Sequence, residues 1–214
     1  MTTTPFSAAL RERTWASHGD SEGAGFMSDL MQGKGTRDDY IALVAQHYFI
    51  YEALEAVGAG FAGDPVASAF ITPRLTRLPA IEADLEFLIG ADWRSQITPL
   101  PTTRRYVERI NTVAANWSGG FIAHHYTRYL GDLSGGQHIR RLMQRHFGFE
   151  TNGVGFYFFD EIADPKDFKE TYREQLDAVD WSPEERERVI DEVLIAYRFN
   201  TELFQDLSAA KAAA

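Results

Sequence analysis

Arg128 and Asp132 place a cation and a carboxylate four residues apart within a glycine-rich segment. On a helix such residues are neighbours, so they can form an ion pair or hold water between them. Gly131 and Gly135 have the same spacing and would let another group approach the backbone, or let the helix bend. Each glycine in a helix costs about 1 kcal/mol relative to alanine, so we expect a requirement that offsets this cost. Spacing alone leaves two interpretations: a close crossing of two helices, or a flat ligand on the glycines beneath water held by Asp132.

The six histidines are the candidate metal ligands of the chain. None has a glutamate three residues before it, which disfavours a di-iron carboxylate site. His18 is followed four residues later by Glu22, which could accept a hydrogen bond from the imidazole and fix its tautomer. On that spacing alone, a half-buried histidine near a helix end remains the simpler interpretation. Adjacent side chains on a helix point about 100° apart, so we expect His124 and His125 to pack or face solvent rather than share a metal.

The composition excludes several classes of protein. The 214 residues include no cysteine, so disulfides, thiolate catalysis and iron–sulfur clusters are excluded. A formal net charge of −10 without a basic stripe argues against a nucleic-acid partner. No apolar run approaches the roughly 20 residues of a membrane span, and residues 1–5 lack the basic and apolar regions of a signal peptide. The expected compartment is therefore the cytoplasm.

The elements that must position these residues are predicted to be helices. Proline, capping and periodicity signals predict helices from residue 5 past residue 18 and over about 37–61, 79–89, 103–117, 117–147, 165–179 and 183–207. Segment 152–160 could be a strand by composition, but it has no partner strand, so we predict a buried irregular connection. The predicted fold is a single all-α domain over residues 1–214, with frayed tails at 1–5 and 208–214.

Residues 126–137, YTRYLGDLSGGQ, resemble the distal-helix signature of the haem oxygenases throughout their length. Residues 10–18, LRERTWASH, with Glu22, Phe26 and Met27 beyond them, resemble the proximal helix of the same family. Further matches make the resemblance cover nearly the whole chain. It implies a multi-helix bundle with haem between a proximal helix and a glycine-bent distal helix. By this match His18 is the axial iron ligand and Glu22 its hydrogen-bond partner.

The resemblance also implies roles for other residues. Catalytic positions, including a hydrogen-bond network on the distal side, fall on Asp132, Arg128, Gly131, Gly135, Tyr51 and Tyr106. Haem-binding positions, the first four of them at the propionates, fall on Arg11, Tyr126, Lys169, Arg173, Tyr197 and Asn200. Two positions depart from the family pattern. Trp15 stands where relatives often carry a basic residue, which leaves the details of propionate steering open. Tyr197 stands where they more often carry phenylalanine.

A haem oxygenase uses haem b as both cofactor and substrate. With O2 and external electrons it cleaves a meso carbon, by analogy the α carbon, and releases biliverdin, carbon monoxide and ferrous iron. Asp132 would hold the water that delivers protons. The chain has no flavin or nicotinamide fingerprint, so a ferredoxin or flavoprotein reductase is implied as redox partner of an expected monomer. Two alternatives remain: a non-catalytic haem carrier on the same scaffold, and a thiaminase-type helical enzyme, whose usual cysteine is absent.

Overall fold

The computed structural model describes residues 4–22 and 25–213, except for the side chains of residues 18–22. The α-helices are α1 Phe6–Glu22, α2 Gly25–Met31, α3 Arg37–Gly60, α4 Leu78–Ile89, α5 Trp93–Gln96, α6 Pro101–Thr112, α7 Ser118–His125, α8 Gln137–Phe147, α9 Pro165–Ala178 and α10 Pro183–Ala213. Two π-helical stretches, Tyr126–Leu130 and Asp132–Gly136, join α7 to α8. Short 3-10 turns cover Ala67–Phe70, Pro73–Leu75, Ala114–Asn116 and Gly155–Tyr157. The described ranges contain no β-strand, which confirms the all-α prediction.

The helix starts follow from capping chemistry. At the start of α3 the Thr36 hydroxyl accepts from the Asp39 N–H at 3.1 Å, and the Asp39 carboxylate accepts from the Thr36 N–H at 2.7 Å. This reciprocal pair satisfies two N–H groups that the first turn leaves without a helical partner. At α9 the Asp164 carboxylate does the same for the N–H of Lys166, at 2.7 Å. The starts predicted at both helices are confirmed.

Two helix ends differ from the prediction. α6 ends at Thr112 instead of reaching Trp117, whose backbone is extended at φ −150° and ψ 111°. The Trp117 indole donates to the Glu185 carboxylate and lies against Gly120, and these contacts hold the break between helices. α10 continues to Ala213, beyond the predicted end near Leu207. Lys211 pairs there with Asp39 at 2.8 Å, a long-range contact that the sequence pattern does not reveal.

The core is one cluster of buried apolar and aromatic side chains organised around α3 and α10. α3 packs against α4, α6 and α7, while α10 packs against α1, α2, α6 and α7. Fully buried tyrosines, including Tyr40, Tyr51, Tyr106 and Tyr172, fill the space between these helices. Buried phenol groups need hydrogen-bond partners, so the core carries polar chemistry as well as apolar packing. No described helix has the length and apolar character of a membrane span.

The connection from α8 to α9 is buried and irregular, as predicted for residues 152–160. Asp84 of α4 accepts hydrogen bonds from the N–H groups of Gly155 and Phe156 at 2.9 and 2.8 Å. The Arg77 guanidinium donates to the carbonyl of Phe156 at 3.2 Å and also to that of Phe158. These side chains replace the partner strand that the segment lacks, so its backbone polar groups are satisfied inside the protein.

Candidate active site

Residues 118–147 form one continuous helix. We call it the wide helix, because its middle turns are π-helical. In a π turn each N–H bonds to the carbonyl five residues back, which widens the helix and shifts residues four apart off one line. The glycines keep ordinary right-handed backbone, with Gly131 at φ −61° and ψ −49°. The glycines are therefore not required for a left-handed turn. What they provide is space beside the helix backbone. Single π turns within helices are frequent at functional sites.

Gly131 and Gly136 serve different purposes. A Cβ placed on Gly131 would meet no atom within 4 Å, so this glycine faces open space. A Cβ on Gly136 would lie only 2.9 Å from Cδ1 of Tyr157, so this glycine allows the Tyr157 ring to pack on the wide helix. Gly135 lines the same open space as Gly131. Of the two interpretations that the spacing left open, the open space at Gly131 and Gly135 favours the ligand surface. The close contact at Gly136 is with a side chain of the α8–α9 connection and not with another helix.

Two cavities adjoin at Gly131 and Tyr197, which line both of them. The first, here called the apolar cavity, has a volume of about 310 Å³ and lies between α2, α3, the wide helix and α10. Its apolar lining includes Met27, Met31, Leu43, Ile139 and Phe204. Its polar lining includes His47, Arg128, Asp132, Tyr157 and Asn200. The second, here called the basic cavity, has a volume of about 290 Å³ and lies between α1, the wide helix, α9 and α10.

Three cations converge on the basic cavity: Arg11, Lys169 and Arg173. No carboxylate lines it in the part of the chain that the structure describes. Lys169 Nζ donates to the Ser134 hydroxyl at 2.8 Å, and burial together with the charge of Arg173 lowers the pKa of Lys169. Tyr126 lines the same cavity. The four residues that the resemblance implied at the propionates are thus together, and their charges suit a ligand edge with two anionic groups.

A hydrogen-bond network links the wide helix to α3 and α10. The Tyr51 hydroxyl donates a short hydrogen bond to the Asp132 carboxylate, and the Arg128 guanidinium lies 5.1 Å from the centre of the Tyr51 ring. Arg128 Nη1 donates to Asn200 Oδ1 at 3.0 Å. Burial raises the pKa of Asp132 to about 6, although Arg128 and Tyr51 act to lower it. In the described part of the chain Arg128 and Asp132 bind these other partners and form no direct ion pair with each other, which agrees with the altered spacing of a π turn.

Tyr106 does not line either cavity but lies behind the network. Its ring stacks on Phe199, with centroids 4.8 Å apart, and its hydroxyl is 3.4 Å from His124 Nδ1. His124 Nε2 in turn lies 2.9 Å from Glu192 Oε1, which Arg109 also binds. His125 packs elsewhere, with Nδ1 3.0 Å from the Tyr172 hydroxyl, and burial lowers its pKa to about 3. The packing role expected for the two adjacent histidines is confirmed.

Comparison with known proteins decides the family. The family model described as "Heme oxygenase" matches residues 4–206. The chain belongs to the haem oxygenase family. Heme oxygenase 1 of Synechocystis sp. is 36% identical over 94% of this chain and 84% of its own length. Heme oxygenase 1 of Homo sapiens is 37% identical over 94% of this chain and 71% of its own length.

The crystal structure of heme oxygenase-1 from Synechocystis sp., solved in complex with heme, superposes with a TM-score of 0.92 at 35% identity. The match covers 97% of this chain and 94% of that one. The family resemblance stated from the sequence, the all-α fold and the class of enzyme are therefore confirmed: the chain is an enzyme of haem degradation to biliverdin.

The proposed iron ligand of this haem oxygenase lies in α1. Arg11, Thr14 and Trp15 of the same helix line the basic cavity. His18 and Glu22 are in the last turns of α1, but their side chains lie outside the described part of the structure. Their roles in binding iron remain predictions from the family match.

Two polar residues of the apolar cavity were missed by the sequence analysis. His47 and Tyr157 both line this cavity, beside the residues of the distal network. No partner pattern marked His47, and no histidine was expected on the distal side; Tyr157 was seen only as part of an aromatic connection. One signal could have drawn attention to His47: it stands four residues before Tyr51 on the buried face of α3.

Proposed function

We propose that this haem oxygenase binds haem across its two cavities and cleaves it at the α-meso carbon. Biliverdin, carbon monoxide and ferrous iron are the products, and O2 and external electrons are consumed. The observation that carries the proposal is the junction of an apolar and a basic cavity at Gly131. The apolar part of a porphyrin and its two propionates need these two environments side by side. The open space at Gly131 fits a flat ring against the helix backbone.

Bound haem supplies both the iron centre at which O2 reacts and the ring that is oxidised. In the proposed arrangement His18 binds the iron, and Glu22 accepts a hydrogen bond from its imidazole. Position 18 is one helical turn beyond Thr14 and two beyond Arg11, both of which line the basic cavity. This periodicity supports the assignment of α1 as the proximal helix.

Orientation of the ring is assigned to the basic cavity. Arg11, Lys169, Arg173 and Tyr126 hold the propionates, and Tyr197 lies where the two cavities meet. Fixing the propionates fixes the rotation of the haem in its plane. The meso carbon that then lies nearest the distal network is the one we expect to be cleaved.

Proton delivery is assigned to Asp132. Burial raises the pKa of this carboxylate to about 6, so it can gain and lose a proton near neutral pH. The Tyr51 hydroxyl holds the carboxylate in place, and Asn200 holds Arg128. Gly131 and Gly135 leave room for water between Asp132 and the ring. Tyr106 lies behind this arrangement, where its hydroxyl is 3.4 Å from His124 Nδ1.

Electrons are proposed to come from a ferredoxin or a flavoprotein reductase that binds a monomeric haem oxygenase. The cytoplasm is the compartment in which we expect this exchange. Neither the donor nor the monomer is required for the haem-binding arrangement, so each can be tested separately.

The test is turnover by the haem-loaded protein. With reductant and air, the Soret band should decay while a bilin spectrum appears. Asp132→Ala should bind haem with nearly unchanged affinity but give little biliverdin, and a melting curve will show whether the variant is folded. A Soret band that persists in the wild type would indicate a carrier. Normal biliverdin yield from Asp132→Ala would contradict the role of Asp132 in proton delivery.

A further inference from the structure

Residues that line the apolar cavity carry buried polar atoms with no hydrogen-bond partner within the described structure, among them Nδ1 of His47 and the hydroxyl of Tyr157. His47 is 6% exposed and Tyr157 is 1% exposed. Nε of Arg128, which lines the same cavity, is also without a partner. Buried polar groups are nearly always hydrogen-bonded, to protein or to ordered water, because leaving them unpaired costs free energy. Several such atoms around one cavity indicate that water or a polar ligand completes them.

Tyr157 is held in place from several sides. Its carbonyl accepts from Gln137 Nε2 at 2.8 Å, and Gly136 leaves the space that its ring occupies. The residues on either side of it, Phe156 and Phe158, are bound by Arg77. A backbone fixed in this way keeps the Tyr157 side chain in the cavity wall at little entropic cost. The position of the unpaired group is therefore built into the fold.

His47 is fixed by aromatic contacts. Its ring lies 5.1 Å from that of Phe156 and 6.4 Å from that of Tyr51, which in turn binds Asp132. Burial, reinforced by the charge of Arg128, lowers the pKa of His47 well below its usual range. The imidazole is therefore neutral at physiological pH, with one nitrogen that donates a hydrogen bond and one that accepts.

We propose that His47 and Tyr157 anchor an ordered water cluster in the apolar cavity and extend the proton path of Asp132 along the haem pocket. The cavity volume of about 310 Å³ is far above the roughly 10–15 Å³ that one water requires. A buried water needs two to four polar partners, and the polar residues that line this cavity include His47, Tyr157, Arg128 and Asp132. His47 and Tyr157 are thus positioning residues, which act on the substrate through water. The inference rests on the haem placement proposed above.

The first test separates an unpaired hydroxyl from one that holds the fold together. Tyr157→Phe removes only an oxygen without a protein partner, so the haem-free variant should melt at or above the wild-type temperature. Tyr40→Phe is the matched control, because the buried Tyr40 hydroxyl donates to the Gly153 carbonyl at 2.7 Å. That variant should melt at a lower temperature. If Tyr157→Phe is destabilised as much as Tyr40→Phe, the hydroxyl has a structural partner and the proposal is wrong.

The second test measures hydrogen-bond donors in the loaded pocket. Fluoride added to the ferric haem complex accepts hydrogen bonds from water and side chains, so its affinity reports how well the cluster is anchored. Tyr157→Phe and His47→Leu should each weaken fluoride binding about two- to tenfold, because each removes one neutral hydrogen bond that orients the water donating to fluoride. Tyr40→Phe should bind fluoride as the wild type does. Equal fluoride affinity in all four proteins would overturn the proposal.

The third test is turnover. It distinguishes failure of the positioning roles of His47 and Tyr157 from failure of the proposed function. His47→Leu and Tyr157→Phe should form biliverdin more slowly per folded, haem-loaded molecule, whereas Tyr40→Phe should not. Wild-type rates in both site variants, from an active wild type, would refute the positioning role alone. If the wild type forms no biliverdin, the proposed function fails, while the fluoride experiment still decides whether His47 and Tyr157 anchor water, because it needs bound haem but no turnover.

Discussion

Replacing the buried carboxylate of the distal network should make the haem-free protein more stable at neutral pH. Asp132 has its pKa raised from 3.8 to about 6, chiefly by burial. Between these values the folded protein binds more protons at this site than the unfolded chain, so stability falls as the pH rises through this range. Each pKa unit corresponds to about 1.4 kcal/mol, which gives a cost of about 3 kcal/mol above pH 6.

Asp132→Asn removes this pH-dependent cost while leaving an oxygen that can accept from the Tyr51 hydroxyl. The variant should therefore gain up to about 3 kcal/mol of unfolding free energy at pH 8, and nothing below about pH 4. The pKa of about 6 already includes the favourable interaction of the carboxylate with Arg128, so the loss of that interaction in the variant is not subtracted again. Urea denaturation of the haem-free protein, followed by circular dichroism at a series of pH values, measures the difference directly.

Asp39→Asn supplies a control of opposite sign. Burial alone would raise the pKa of Asp39, but hydrogen bonds from Lys211 and Thr36 lower it overall. A lowered pKa contributes stability above the unfolded value of 3.8, and that stability is lost as the pH falls through the folded value. Asp39→Asn should thus be destabilised at pH 8, with a smaller difference in acid. If Asp132→Asn also loses stability at pH 8, or shows a difference independent of pH, then burial does not dominate at Asp132.

Three further predictions concern haem. His18→Ala should still bind haem through apolar burial and the propionates, but it should lose the histidine-ligated absorption spectrum and turnover. Loss of that spectrum in His125→Ala, with His18→Ala unaffected, would refute the assignment of His18 as iron ligand. Replacing Arg11, Lys169 and Arg173 together by alanine should give a mixture of biliverdin isomers in place of a dominant α isomer. The reason is the loss of charge-assisted contacts, each worth about 1.5–3 kcal/mol when well formed. An unchanged chromatographic isomer profile would mean that the pocket walls set the orientation of the haem. Gly131→Ala should raise haem-free stability by about 1 kcal/mol yet weaken haem binding, because its Cβ points into open space. Gly136→Ala should instead lose about 1–3 kcal/mol, because its Cβ would lie 2.9 Å from Tyr157; equal effects of the two substitutions on urea midpoints and haem titrations would contradict the distinct roles of the glycines.

Local chemistry made much of the fold predictable from the sequence. The Thr36 and Asp39 capping box and the Asp164-Pro165 pair mark helix starts that the structure confirms. Such signals involve residues only a few positions apart, so tertiary context has little influence on them. The segment containing Gly131 and Gly135 was identified as the centre of the site because its glycines contradict helix propensity. Conflicts of this kind between local preference and structure are expected at functional sites.

Boundaries set by distant contacts were not predictable in the same way. α10 was expected to end near Leu207, and its last turns pair Lys211 with Asp39, which lies 172 positions earlier in the chain. α6 was expected to continue to Trp117, whose indole binds Glu185 of α10. Periodicity and propensity describe a helix by itself and carry no information about such partners.

The sequence by itself determined the helical fold, the haem oxygenase family, and which residue types could bind an anionic ring. Only the tertiary structure decided how the site is connected. Arg128 binds Asn200, 72 positions away, and Asp132 binds Tyr51, 81 positions away. The spacing of four had suggested instead that Arg128 and Asp132 could pair with each other. The π turns that separate them arise within the packed helix, and the unpaired atoms of His47 and Tyr157 can be recognised only once burial is known. A hydrogen-bond partner is set by which helices meet in space, and local sequence does not specify that.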